Sequence, residues 1–134
     1  MPKIYETEIT NTGGRSGEVY SEDKSFFHKV SSPGSGIKDT TNPEQLFAAG
    51  YSACFNGALE VAMKNAKNVH KSIVKVKVAL NNDAKLGFFI DVVIQVHIDD
   101  IDLVTAKKLV EDADQICPYS KALRNNVKVE LKVI

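Results

Sequence analysis

Three stretches of this chain alternate apolar and polar residues with a period of two. Over residues 73–80, Val74, Val76, Val78 and Leu80 share one face, with Lys75 and Lys77 on the other. Ile90, Val92, Ile94, Val96 and Ile98 repeat the pattern against Asp91, Gln95 and His97. Val127, Val129, Leu131 and Val133 do so against Lys128, Glu130 and Lys132. Such alternation predicts half-buried strands, one face on a core and one in water. Asn81-Asn82-Asp83 through Gly87 reads as the hairpin connection between the first two. The first thirty residues read as further short β segments around the turn signal Asn11-Thr12-Gly13-Gly14, and residues 31–36 as a Ser/Pro/Gly loop.

Between these strand signals lies a different pattern. Thr41 or Asn42 can cap a helix that Pro43 opens, and Glu44 or Gln45 stands three residues on, so either register offers a capping box. Leu46 to Met63 is then apolar on nearly every face and rich in small residues. A helix apolar all round is expected to be buried, enclosed by sheet or by a partner subunit. A second helix, capped by Asp102, carries Leu109, Val110, Ala113 and Ile116. The order predicts a single α+β domain over residues 1–134, with antiparallel sheet packed around a buried central helix.

Composition narrows the function classes. Lys+Arg and Asp+Glu balance at 17 each, so no global basic field exists to attract nucleic acid or an anionic membrane. No apolar run approaches the roughly 18 residues of a membrane span. The first residues, Met1-Pro2-Lys3-Ile4, lack the apolar core of a signal peptide, and a cytoplasmic location is expected. In that reducing setting a cysteine pair is more often catalytic or redox-sensing than a permanent staple.

The chain has two cysteines, Cys54 and Cys117. Cys54 falls about three turns into the apolar helix, where a buried structural thiol is the competing reading. Cys117 directly precedes Pro118, which disfavours the α conformation at Cys117 and can open a short helix through Arg124. Cys117 is then an N-cap, where exposed N–H groups favour a thiolate. His28, His70 and His97 are scattered, without ligand spacing to either cysteine. Thr12-Gly13-Gly14-Arg15-Ser16-Gly17 lacks the pattern of a phosphate loop and reads as a turn.

The segment Asn42-Pro43-Glu44-Gln45-Leu46-Phe47-Ala48-Ala49-Gly50-Tyr51-Ser52-Ala53-Cys54-Phe55 closely resembles the first cysteine motif of the organic hydroperoxide resistance proteins, members of the OsmC-like superfamily. Cys117-Pro118-Tyr119-Ser120, with Ala122 and Arg124-Asn125-Asn126-Val127, resembles their second. Thr12-Gly13-Gly14-Arg15 resembles their arginine-bearing turn. The resemblance spans essentially the whole chain. It implies an OsmC-like fold, an intertwined homodimer and a thiol peroxidase for organic hydroperoxides. Cys54 is then the peroxidatic cysteine and Cys117 the resolving one, with Arg15 and Glu44 completing the site. It also implies dihydrolipoyl groups as the external reductant, with no metal, flavin or haem.

Physical chemistry fits those roles. A free thiol, with pKa about 8.5, is mostly protonated at neutral pH, and burial raises that value. A guanidinium such as Arg15 can offset this without deprotonating, and Glu44 can hold it through a bidentate contact. Phe47, Tyr51 and Phe55 are expected to form an apolar wall for alkyl or lipid hydroperoxides. Glu44 precedes Cys54 by ten residues, about 15 Å along a continuous helix and roughly 80° around it. Either the helix breaks between them or Glu44 serves the Cys54 of a second chain. The alternatives are a redox-sensing or binding protein with a reporting disulfide, and an OsmC-like peroxidase with a different peroxide preference.

Overall fold

The computed structural model describes residues 2–134, and the chain divides into two compact units, Met1–Leu46 and Phe47–Ile134.

In the first unit, the Gly-rich turn signal becomes a tight reversal. Strand β1 (Thr10–Thr12) runs into a single 3₁₀ turn, Gly14–Ser16, and returns as β2 (Glu18–Tyr20). Gly13 and Gly14 have φ of 80° and 60°, the left-handed region that glycine enters without a Cβ penalty. A Cβ at Gly17 would lie 1.7 Å from the Thr12 carbonyl oxygen, so the chain can close there only on glycine. The Asn11 side-chain amide donates to the carbonyls of Gly14 (3.1 Å) and Glu18 (3.0 Å), tying both sides of the turn. β3 (Phe27–Val30) pairs antiparallel with β2, and the two-residue β4 (Thr40–Thr41) pairs with β3. The helix start follows. The Asn42 side chain accepts from the Gln45 N–H at 2.8 Å, so Asn42 is the cap that stops the first turn from fraying. The Gln45 side chain reaches back one residue further, accepting from the Thr41 hydroxyl at 2.8 Å.

Helix α1 runs unbroken over Pro43–Asn65. The second unit takes it up at Phe47 and adds β5 (Ser72–Asp83), β6 (Gly87–Ile98), α2 (Leu103–Ile116), α3 (Pro118–Leu123) and β7 (Val129–Val133). Register follows the period-two pattern: Val76 pairs with Ile94 and Ile94 with Leu131, which sets the alternating apolar residues of all three strands on one face. That face forms the core with Tyr51, Phe55, Leu59 and Met63 of α1 and Leu109, Val110 and Ala113 of α2. Each large apolar side chain enclosed there contributes roughly 1.5–3 kcal/mol. Asp102 caps α2 as expected, accepting from the Thr105 N–H at 3.0 Å.

One expectation needs correction. The sheets are mixed rather than antiparallel: β3–β4 and β6–β7 are parallel pairs. For β7 the cause is the connection. α2 and α3 carry the chain back to the end where β6 began, so β7 must run the same way. The central helix, expected to be enclosed by sheet or by a partner subunit, is enclosed in part within one chain. Tyr51, Phe55, Ala58, Leu59, Ala62 and Met63 are buried, but Ala49, Ala53, Gly57 and Val61, spaced by four, form an exposed stripe.

Candidate active site

Each unit brings together two of the four residues expected to act. In the first, the 3₁₀ turn presents Arg15 and the first turn of α1 presents Glu44. The guanidinium donates twice, Nη2 to Oε1 at 2.7 Å and Nη1 to Oε2 at 3.1 Å. This parallel pair of bonds fixes the plane of the guanidinium as well as its position. The Glu44 side chain is 14% exposed and that of Arg15 45%. Arg15 hydrogen bonding holds the Glu44 carboxyl below the usual carboxylate range, with the α1 N-terminus adding to it through Glu44's own N–H. Glu44 in turn pushes the Arg15 pKa further up. The result is a permanent, oriented cation with one face still open to solvent.

In the second unit, Cys54 and Cys117 are 63 residues apart in sequence and their sulfurs are 3.3 Å apart. Both are free thiols, Cys54 partly exposed and Cys117 fully buried. Cys117 closes α2, its N–H donating to the Ala113 carbonyl at 2.8 Å, and caps α3 with the extended backbone (φ −63°, ψ 119°) that a residue before proline prefers. Its thiol makes no capping bond. The α3 N-terminus acts on the other sulfur instead. Burial pushes the Cys54 thiol up, and the backbone N–H of Tyr119, in the first turn of α3, opposes it by favouring the thiolate. The Cys117 sulfur alongside adds to the upward push, because a thiol hydrogen shared between the two sulfurs favours the neutral form. None of the groups acting on Cys54 within this unit is a cation.

Three neighbours frame the pair. Tyr51, one turn before Cys54, is completely buried, and its hydroxyl meets that of Ser120, one turn after Cys117, at 2.7 Å. Tyr119 lays its ring against the bare backbone of Gly50, where a Cβ would stand 2.9 Å from the Tyr119 hydroxyl. Of the expected apolar wall, Phe47 is partly buried, edge-on to Tyr51 with ring centroids 6.1 Å apart, while Tyr51 and Phe55 are wholly enclosed. Tyr119 and Ser120 border the pair without an expected role in the sequence. The signal was present: with Cys117 as N-cap and Pro118 first in the helix, the next two residues carry the free N–H groups of the first turn.

Comparison with known proteins shows the family. The OsmC-like protein family matches residues 34–132. The chain is 42% identical to the organic hydroperoxide resistance protein-like 2 of Staphylococcus epidermidis, over 97% of this chain and 95% of that protein. It is 40% identical to an organic hydroperoxide resistance protein-like protein of Staphylococcus aureus, over 96% and 94%. The crystal structure of the organic hydroperoxide resistance protein OhrB of Bacillus subtilis superposes with a TM-score of 0.91 at 40% identity, covering 98% of this chain and all of that one. The chain belongs to the organic hydroperoxide resistance proteins of the OsmC-like family.

Proposed function

We propose that this protein is a cysteine-based peroxidase that reduces organic hydroperoxides to alcohols in the cytoplasm. The observation that carries the reading is the 3.3 Å approach of two free sulfurs in a chain of this family. The Cys54 thiolate attacks the distal oxygen of the hydroperoxide. The O–O bond breaks, the alcohol leaves with a proton, and Cys54 becomes a sulfenic acid. Cys117 then attacks the Cys54 sulfur, forming the disulfide and releasing water, which carries away the sulfenic oxygen and the Cys117 proton. An external dithiol, a dihydrolipoyl group by the family resemblance, returns both thiols by exchange. The short gap between the sulfurs favours resolution within one chain over further oxidation of Cys54.

Arg15, oriented by Glu44, supplies the cation that Cys54 lacks. Because α1 is continuous, helix geometry separates Glu44 from its own Cys54, and the Arg15–Glu44 pair serves the Cys54 of a second chain. The exposed Ala49-Ala53-Gly57-Val61 stripe supports a homodimer, since small residues allow close backbone approach. Phe47 and Tyr119, both partly open, supply apolar surface for an alkyl or lipid chain.

A thiol titration before and after one equivalent of cumene hydroperoxide tests the reaction. Both thiols are lost in the parent, Cys117→Ser consumes one equivalent and stops, and Cys54→Ser does not react. Retention of both thiols in the parent sinks the proposal. The shared site is tested by co-expressing Cys54→Ser with Arg15→Ala chains. Mixed dimers recover one working site if Arg15 acts across the dimer and none if it acts within its own chain. A monomer with full activity also overturns the shared site.

A further inference from the structure

Beneath the thiol pair lies a second pair with the same spacing logic. Tyr51 is three residues before Cys54 on α1, and Ser120 three residues after Cys117 on α3. The two helices thus meet at two successive rungs, sulfur to sulfur at 3.3 Å and hydroxyl to hydroxyl at 2.7 Å. The second rung is the more enclosed: Tyr51 is inaccessible to solvent and Ser120 4% exposed. Each hydroxyl is the other's hydrogen-bond partner in a buried setting, where losing that partner is costly. At the far end of α3, Arg124 donates to the backbone carbonyl (2.9 Å) and carboxylate (3.0 Å) of Asp114 on α2.

Resting on the peroxidase reading above, we propose that Tyr51 and Ser120 are positioning residues for the resolving step: their hydrogen bond clasps α3 to α1 and keeps the Cys117 sulfur on Cys54. The Tyr119 ring also packs on Gly50 of α1, but space remains beside that contact. Tyr51, Ser120, Arg124 and Asp114 border a cavity of about 180 Å³, which leaves α3 room to shift once the hydroxyl bond is gone. α3 has only six residues, too short to hold its place by its own helix bonds. The clasp therefore acts on the approach of the sulfurs as well as on stability, and the rate of disulfide closure reads the first apart from the second.

The test follows the two chemical steps separately after a pulse of one equivalent of cumene hydroperoxide. Disulfide closure is read by thiol loss, and waiting sulfenic acid by trapping with dimedone. Ser120→Ala and Tyr51→Phe each slow closure about five- to tenfold, the range of one neutral hydrogen bond, and raise the trapped fraction. The Tyr51→Phe/Ser120→Ala double variant is no slower than the slower single, because both remove the same bond. Ser120→Thr keeps the hydroxyl, has the cavity for its methyl, and restores closure. Parent-like closure in both single variants overturns the proposal, as does a double variant whose losses multiply. An equal Ser120→Ala effect on peroxide consumption in a Cys117→Ser background also overturns it, by placing the hydroxyl on the first step. Failure of the peroxidase reading looks different: Cys117→Ser then yields no trapped sulfenic acid at all.

Discussion

The two units hold their reactive groups in opposite environments. Arg15 and Glu44 form an ion pair with the guanidinium nearly half exposed, and each partner stabilises the charged form of the other. Cys117 sits in an apolar core and Cys54 packs against it, where burial favours the neutral Cys54 thiol. Charge is retained near water, where solvation is cheap, and sulfur is kept where solvation is poor. The first pair has no nucleophile, and the second has no cation among the groups acting on Cys54.

Breaking the sulfur side has the largest effect. Cys54→Ser lowers steady-state hydroperoxide turnover by on the order of 10⁴ or more, as loss of a nucleophile does. Breaking the charge side comes next. Arg15→Ala lowers the second-order rate of the first step on the order of 10²-fold, in the range seen when one preorganised charge-stabilising group is removed. Arg15→Lys recovers part of this, because an ammonium keeps the charge but cannot form the two parallel bonds to Glu44. Glu44→Gln has a smaller effect, roughly tenfold, since it loosens the cation's aim without removing it. Stopped-flow measurement with cumene hydroperoxide ranks all three. An Arg15→Ala variant reacting at the parent rate would collapse the comparison, leaving the core thiols sufficient alone.

Much of this arrangement was legible in the sequence because it rests on local rules. Pro118 dictates the extended Cys117 and the helix after it. Asn42 and Gln45 start α1, and the alternating valines set the register of β5, β6 and β7. What stayed hidden depends on contacts between distant segments. On a helix apolar all round, Tyr51 looks like one more core residue, and only Ser120, 69 positions away, shows that its hydroxyl has a partner. Nothing local shows that the α3 N-terminus acts on Cys54 rather than on Cys117, its own cap. The parallel direction of β7 comes from the geometry of the α2–α3 return, which no period-two pattern records. β4, with two residues, is too short to carry a period.

The smallest effects sharpen the comparison most directly, because Glu44 and Cys54 respond to pH with opposite signs. Glu44 is held below its ordinary range in the folded chain, and Asp23 is lowered to about 2 by the Ser21 hydroxyl and by the N–H and hydroxyl of Ser25. The unfolded chain therefore binds protons more readily at both. Their stabilising contribution is full above the ordinary carboxylate pKa of about 4 and is lost as pH falls through the folded values. Cys54 behaves in reverse. Its folded pKa is raised, so its contribution is present below the ordinary thiol pKa of about 8.5 and lost as pH rises through the folded value. Urea unfolding of the fully reduced protein across pH should show an acid limb weakened by Glu44→Gln and Asp23→Asn, and an alkaline limb weakened by Cys54→Ser. Each substitution should leave the other limb in place. An alkaline limb that survives Cys54→Ser at full size would show that the Cys54 thiol does not set it, and the contrast between Glu44 and Cys54 would lose its thermodynamic basis.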